Sequence, residues 1–122
     1  VNAVAPVSLA RALLGYLREG GTIAFMSSDL GSVSGNGNGY IELYRASKAA
    51  LNSLIRSFAA GLGGRRVAVL AVHPGWVRTD MGGAEAPLSV AESCRGIAEV
   101  IENRSGSGRS GFVDWRGRDL AW

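Results

Sequence analysis

One cysteine, one lysine, one histidine and three prolines in 122 residues leave several protein classes without support. A lone Cys94 rules out an internal disulfide and fits a reducing compartment, so a cytoplasmic setting is expected. No apolar run approaches the roughly 20 residues a membrane helix needs. No basic-then-apolar leader is visible, so neither a membrane nor secretion is expected. Eighteen glycines show no Gly-X-Y period, and with so few prolines they argue against both collagen-like architecture and simple disorder. The formal net charge is +3, but the arginines are scattered among acids without a basic run or aromatic–basic interleaving. No nucleic-acid partner and no metal site are expected. Hydrophobic residues at 47% and charged residues at 19% are ordinary for a soluble α/β protein. The sequence opens on Val1 rather than Met, so either a start within a longer reading frame or a trimmed chain is expected.

The scarcity of lysine is informative. Twelve positive charges are arginines and one is Lys48. A compact ammonium with a tunable pKa does chemistry that a guanidinium cannot, so Lys48 is a pointer to function.

Helical spacing of Leu9, Leu13, Leu14 and Leu17 predicts a helix over about residues 3–18, with Pro6 tolerated in its first turn. Residues 22–26 read as a short buried strand, followed by a polar, glycine-punctuated loop to Gly39. Tyr44, Lys48, Leu51, Ile55, Phe58 and Leu62 then draw one stripe along a helix that ends at Gly61, Gly63 and Gly64. Residues 66–72 read as a strand covered on both faces. A turn at His73-Pro74-Gly75, an irregular segment and a helix over about residues 88–103 come next. Residues 105–110 read as a flexible linker before a last strand over residues 111–115. Alternating helices and strands with crossovers of this length predict an α/β fold with parallel strands. Three strands are few for an open sheet, so one edge should be bare. The apolar stripes of the two long helices make a homodimer conceivable.

Tyr44 and Lys48 stand four residues apart, on one helical face, with Cβ atoms about 6 Å apart. A phenol ordinarily titrates near pH 10, and a neighbouring ammonium favours its ionised form. The pair can serve as a general acid/base toward a carbonyl oxygen or an alcohol proton. On its own the pattern equally describes a packed Tyr with a snorkelling Lys. Position adds weight, because functional groups gather at the carboxyl ends of parallel strands. One such end carries Ser27-Ser28 and the next carries the loop from His73 to Met81.

Ser27-Ser28-x-x-Gly31, Tyr44-x-x-x-Lys48 in the form YRASKAALN, and HPGWVRTDMGG in that order resemble the short-chain dehydrogenase/reductase family. Within it they most resemble the branch of C-factor and sniffer-type carbonyl reductases, whose longer Ser-to-Tyr loop is matched by GSVSGNGNG. The resemblance implies a partial Rossmann-like, doubly wound parallel sheet, here its C-terminal three strands with covering helices. It implies an oxidoreductase using NADP or NAD on a small carbonyl or alcohol substrate. Residue by residue, it implies Tyr44 as the acid/base and Ser28 as the donor polarising the carbonyl. Lys48 would favour the phenolate of Tyr44 and hold the nicotinamide ribose hydroxyls, and Asn2 would order a relay water. Pro74, Gly75, Val77 and Thr79 would lie along the nicotinamide, while Trp76 and Met81 would border the substrate together with Ser28.

Alternatives stay open at several positions. Ser27 competes with Ser28, with the spacing to Gly31 favouring Ser28, and Asn2 could instead cap the first helix. His73 is expected to be structural, Cys94 to be inert packing, and Trp115 and Trp122 to be core or partner-facing. The family's glycine-rich turn after a first strand, which places pyrophosphate at a helix N-terminus, has no counterpart before Asn2. Gly35, Gly37 and Gly39 belong to the longer loop and are not a phosphate cradle. Residues 1–122 are therefore expected to be the C-terminal catalytic half of such a domain, without its dinucleotide-binding half. The other reading is a non-catalytic interaction or signalling half-domain that pairs through its exposed sheet edge.

Overall fold

The computed structural model describes all of residues 1–122. In chain order, α1 spans Val4–Leu13, β1 Thr22–Met26, α2 Glu42–Ala60, β2 Ala68–His73, α3 Val90–Arg104 and β3 Gly111–Asp114. The strands form one parallel sheet in the order β1-β2-β3. Thr22 pairs with Ala68 and Met26 with Val72 on one side of β2, and Leu70 with Gly111 and His73 with Asp114 on the other.

The apolar run of β2 is explained by its central place, since Ala68 to Val72 are at most 1% exposed. Strand alternation divides its side chains between two cores. Val69 and Ala71 join Phe25 and Phe112 against Val7 and Ala10 of α1 and Leu51, Ile55 and Phe58 of α2. Leu70 and Val72 join Val113 against Val100 of α3 on the opposite face. Helices thus cover both faces, which is the doubly wound, partial Rossmann-like arrangement. The α2 stripe is committed to this packing, Phe58 meeting Phe25 edge-on at 6.0 Å. A helix-to-helix dimer would have to use another face of α2.

The two sheet edges differ. Along β3, Leu120 N–H donates to Phe112 O at 2.8 Å and Asp114 N–H to Arg118 O at 2.9 Å, so residues 118–120 fold back and cover the outer edge. β1 pairs with β2 alone and is the bare edge. Ser27 N–H donates to Val72 O at 2.8 Å, so by alternation the backbone groups of Met26 point away from β2, to the open side.

Several boundaries differ from the sequence expectation. α1 stops at Leu13, not near residue 18, and gives way to a 3₁₀ turn over Leu14–Tyr16. Arg65 draws the Leu14 and Leu17 carbonyls out of helical register, at 3.2 and 2.5 Å. Leu9 and Leu13 face solvent, and α1 reaches the core through Val7 and Ala10 instead. β2 runs two residues later than expected at its start. α3 begins at Val90 because Ser89 forms a capping box with Glu92, each side chain accepting the other's backbone N–H. The expected flexible linker over residues 105–110 is a bonded turn. Gly106 N–H donates to Gly20 O at 2.8 Å, and Ser110 Oγ accepts from Val69 N–H at 2.9 Å. Cys94 is exposed, not packed. No helix is long and apolar enough to cross a membrane.

Candidate active site

β1 ends in two serines whose hydroxyls separate. Ser27 Oγ donates to Asn52 Oδ1 at 2.6 Å, inside the fold. Ser28, also buried, accepts Leu30 N–H at 3.1 Å and so caps a 3₁₀ turn over Asp29–Gly31. Its hydroxyl donates weakly to Asp29 Oδ1 at 3.3 Å. The turn presses against α2. A Cβ at Gly31 would lie 2.9 Å from Asn52 Nδ2 and 3.0 Å from Lys48 Cβ, which is the physical reason for a glycine three residues after Ser28.

On α2, Lys48 Nζ lies 5.9 Å from the centre of the Tyr44 ring. It donates to Met26 O at 3.1 Å, which ties the helix to the open end of β1. Burial pushes the Lys48 ammonium below the ordinary lysine range. Its other donors have no protein acceptor. The lower half of the helix is anchored by Leu51, Ile55 and Phe58, and the upper half by a different device. Ile41, the N-cap, has φ 56 and ψ 53, a left-handed conformation that costs a β-branched residue roughly 1–3 kcal/mol. Arg45, 8% exposed, reaches back with Nε to Tyr40 O at 2.7 Å and Nη2 to Asn38 Oδ1 at 3.0 Å.

β2 ends in His73, whose Nδ1 lies 3.6 Å from Asp29 Oδ1 without a hydrogen bond. Burial pushes the imidazole below its ordinary range, with Asp29 and Asp114 acting against that shift. Gly75 turns the chain at φ 87, and a Cβ there would meet Leu88 Cδ2 at 2.7 Å. Ser93 of α3 fixes this turn by donating to Pro74 O at 2.7 Å. The loop beyond is bonded to itself. Arg78 Nη1 holds Ala86 O and Pro87 O at 3.0 and 3.1 Å. Thr79 Oγ1 accepts Gly82 N–H at 3.0 Å, and Trp76 Nε1 donates to Gly82 O at 2.8 Å. Trp76 and Met81 are exposed, and Val77 is half-buried and bridges to Leu88.

The strand end that carries Ser28 therefore meets Lys48 through Met26 O and the Gly31 contact, and Lys48 in turn lies beside the Tyr44 ring. Pro74, Gly75, Trp76, Val77, Thr79 and Met81 share the single loop after β2. Asn2 is exposed at the start of the chain and makes no hydrogen bond to Lys48. It is not the helix cap either: Ala3 holds that position, with no side-chain cap bond. Sequence reasoning passed over Asn52, Arg45, Asp29 and Ser93. Asn52 was findable as a polar residue one turn beyond Lys48 on an apolar stripe, and Arg45 as a cation in a first helical turn. Asp29 and Ser93 carry no local signal, because only the fold brings them to β2.

The family model described as Enoyl-(Acyl carrier protein) reductase matches residues 1–109. The chain is 40% identical to the C-signal of Myxococcus xanthus over all of its own length and 75% of that protein. A carbonyl reductase from Pseudomonas aeruginosa in complex with NADP superposes with a TM-score of 0.89 at 48% identity, over 99% of this chain and 53% of that one. The carbonyl reductase Sniffer of D. melanogaster superposes with a TM-score of 0.86 at 40% identity, over 99% and 54%. The chain thus spans about half the length of these reductase structures. With its ordered Ser28, Tyr44-x-x-x-Lys48 and His73-Pro74-Gly75 motifs on this sheet, the chain belongs to the short-chain dehydrogenase/reductase family.

Proposed function

We propose that these residues are the catalytic half of an NAD(P)-dependent oxidoreductase that interconverts a carbonyl and an alcohol. The dinucleotide cradle would lie on a further segment. The observation that carries this reading is Lys48, held by Met26 O at the mouth of β1 with its ammonium beside the Tyr44 ring. An ammonium bears three N–H donors, and only one finds an acceptor in the protein. That donor set, with the Tyr44 and Ser28 hydroxyls, fits a ribose diol and a carbonyl oxygen. No residue set here fits a pyrophosphate, so the nicotinamide end of the cofactor is the end these residues would hold.

When bound, the nicotinamide supplies or accepts the hydride. Tyr44 Oη would give its proton to the carbonyl oxygen during reduction, or take the alcohol proton in the reverse direction. Lys48, already partly desolvated, would stabilise the phenolate left behind. Ser28 would swing from its weak bond to Asp29 onto the same oxygen and stabilise the charge that develops there. The loop from Pro74 to Thr79 would offer its backbone to the carboxamide side, with Trp76 and Met81 as apolar walls for the substrate. Asn2 would have to reorder to hold a relay water.

Tyr44→Phe in the longer protein tests this. Turnover should vanish while NAD(P) binding, followed by calorimetry, is preserved; retained turnover would refute the role. The isolated 122 residues should show no dinucleotide affinity in the same titration. Tight binding would refute the division into halves.

One feature, the uncovered edge of β1, favours a second reading in which the half-domain binds a partner strand. Sedimentation of the isolated chain separates the two. Stable association that survives loss of Tyr44 and Lys48 favours the second.

A further inference from the structure

We propose that Arg45 is a positioning residue for Tyr44: its guanidinium clamps the strained turn from which the Tyr44 helix starts. The proposal rests on the reading of Tyr44 as the acid/base.

Stability alone does not explain Arg45. It is 8% exposed, and no carboxylate pairs with it. A buried unpaired cation is unfavourable. A cation in the first turn also opposes the helix dipole. Its donors go instead to Tyr40 O and Asn38 Oδ1, and Asn38 Oδ1 also accepts Tyr40 N–H at 3.1 Å. Residues 38–40 are thereby fixed as one unit directly before Ile41. Arg45 N–H closes the turn on Ile41 O at 3.0 Å.

Ile41 holds φ 56 against the preference of a β-branched side chain. Released from the clamp, it would relax to the extended region, and the first turn of α2 would unwind with it. Tyr44 sits in that turn. Lys48 lies one turn deeper, above Leu51, Ile55 and Phe58, and is anchored separately by Met26 O. Loss of the clamp should therefore move Tyr44 and leave Lys48 in place.

The test compares Arg45→Gln, Asn38→Ala and Arg45→Gln/Ile41→Gly in the longer protein. The readouts are kcat, KM, NAD(P) affinity and amide exchange at residues 40 and 45. Arg45→Gln should lower kcat roughly ten- to a hundredfold, the scale of a misplacement near 1 Å, with cofactor affinity within about twofold. Exchange at the Arg45 amide should rise by about tenfold. Adding Ile41→Gly should restore most of kcat, because glycine adopts positive φ without a clamp. Asn38→Ala alters an exposed side chain and folds whether or not Arg45→Gln does, and it should raise exchange by about fivefold. Unchanged exchange in Asn38→Ala, or a kcat loss that Ile41→Gly does not reverse, overturns the proposal. Turnover surviving Tyr44→Phe would sink the acid/base reading instead, while exchange still decides the clamp.

Discussion

Ser27 Oγ and Asn52 Oδ1 meet at 2.6 Å inside the fold, so the adjacent serines at the end of β1 have different tasks. Alternation along the strand turns one hydroxyl toward α2 and the other toward the loop.

Substituting each serine should separate a purely structural hydroxyl from one that also serves the chemistry. Ser27→Ala strands the Asn52 carbonyl oxygen and should cost about 1–2 kcal/mol in urea denaturation, with little change in turnover of the longer protein. Ser28→Ala takes the cap from Leu30 N–H and should cost about 1 kcal/mol as well, but it alone should cut kcat by roughly a hundredfold. Equal losses of turnover would show that the hydroxyls are interchangeable.

His73 should give the fold an acid sensitivity. Its imidazole is pushed down by burial, more than Asp29 and Asp114 push it up, so the unfolded chain holds the proton more tightly than the folded one. Where the unfolded state binds more protons, stability rises with pH. The stabilising effect is thus complete above the ordinary imidazole value near 6.5 and declines as pH falls below it. Denaturation midpoints between about pH 6.5 and 5 should fall in the wild type and flatten in His73→Gln. Identical slopes would assign the acid sensitivity elsewhere.

Asp114 should hold the cover over the β3 edge. Burial opposes its ionisation. The bonds from Arg118 and from the Arg116 and Arg118 N–H groups outweigh that and keep the carboxyl below the ordinary range. Asp114→Ala should cost about 2–4 kcal/mol and speed exchange of the Leu120 amide, whose acceptor is Phe112 O. Because the folded carboxyl is the stronger acid, its contribution stands above about pH 4 and is lost as pH falls through the lowered value.

What was readable in the sequence was what depends on local pattern. The β1 bounds, the buried run of β2 and the Tyr44–Lys48 face all follow from periodicities of two or 3.6 residues. The order of helices and strands then left parallel pairing as the natural outcome. The missed features depend on contacts between distant segments. Arg65 ends α1 early by taking carbonyls some fifty residues back, and nothing near Leu13 announces it. Ser110 belongs to a turn only because Val69 N–H reaches it. The α3 start was available locally, since Ser89-x-x-Glu92 is a capping signature; the apolar Leu88 drew the helix two residues too far back.

The open flank of β1 has a consequence for how the molecule can grow. With the other flank closed by residues 118–120, the sheet can be extended in one direction only. Any newcomer would run within about 4.8 Å of Met26 and would compete with Lys48 for its carbonyl oxygen. Assembly on that flank and the freedom of the only lysine are therefore linked, so joining a neighbouring strand would be felt first at the ammonium beside Tyr44.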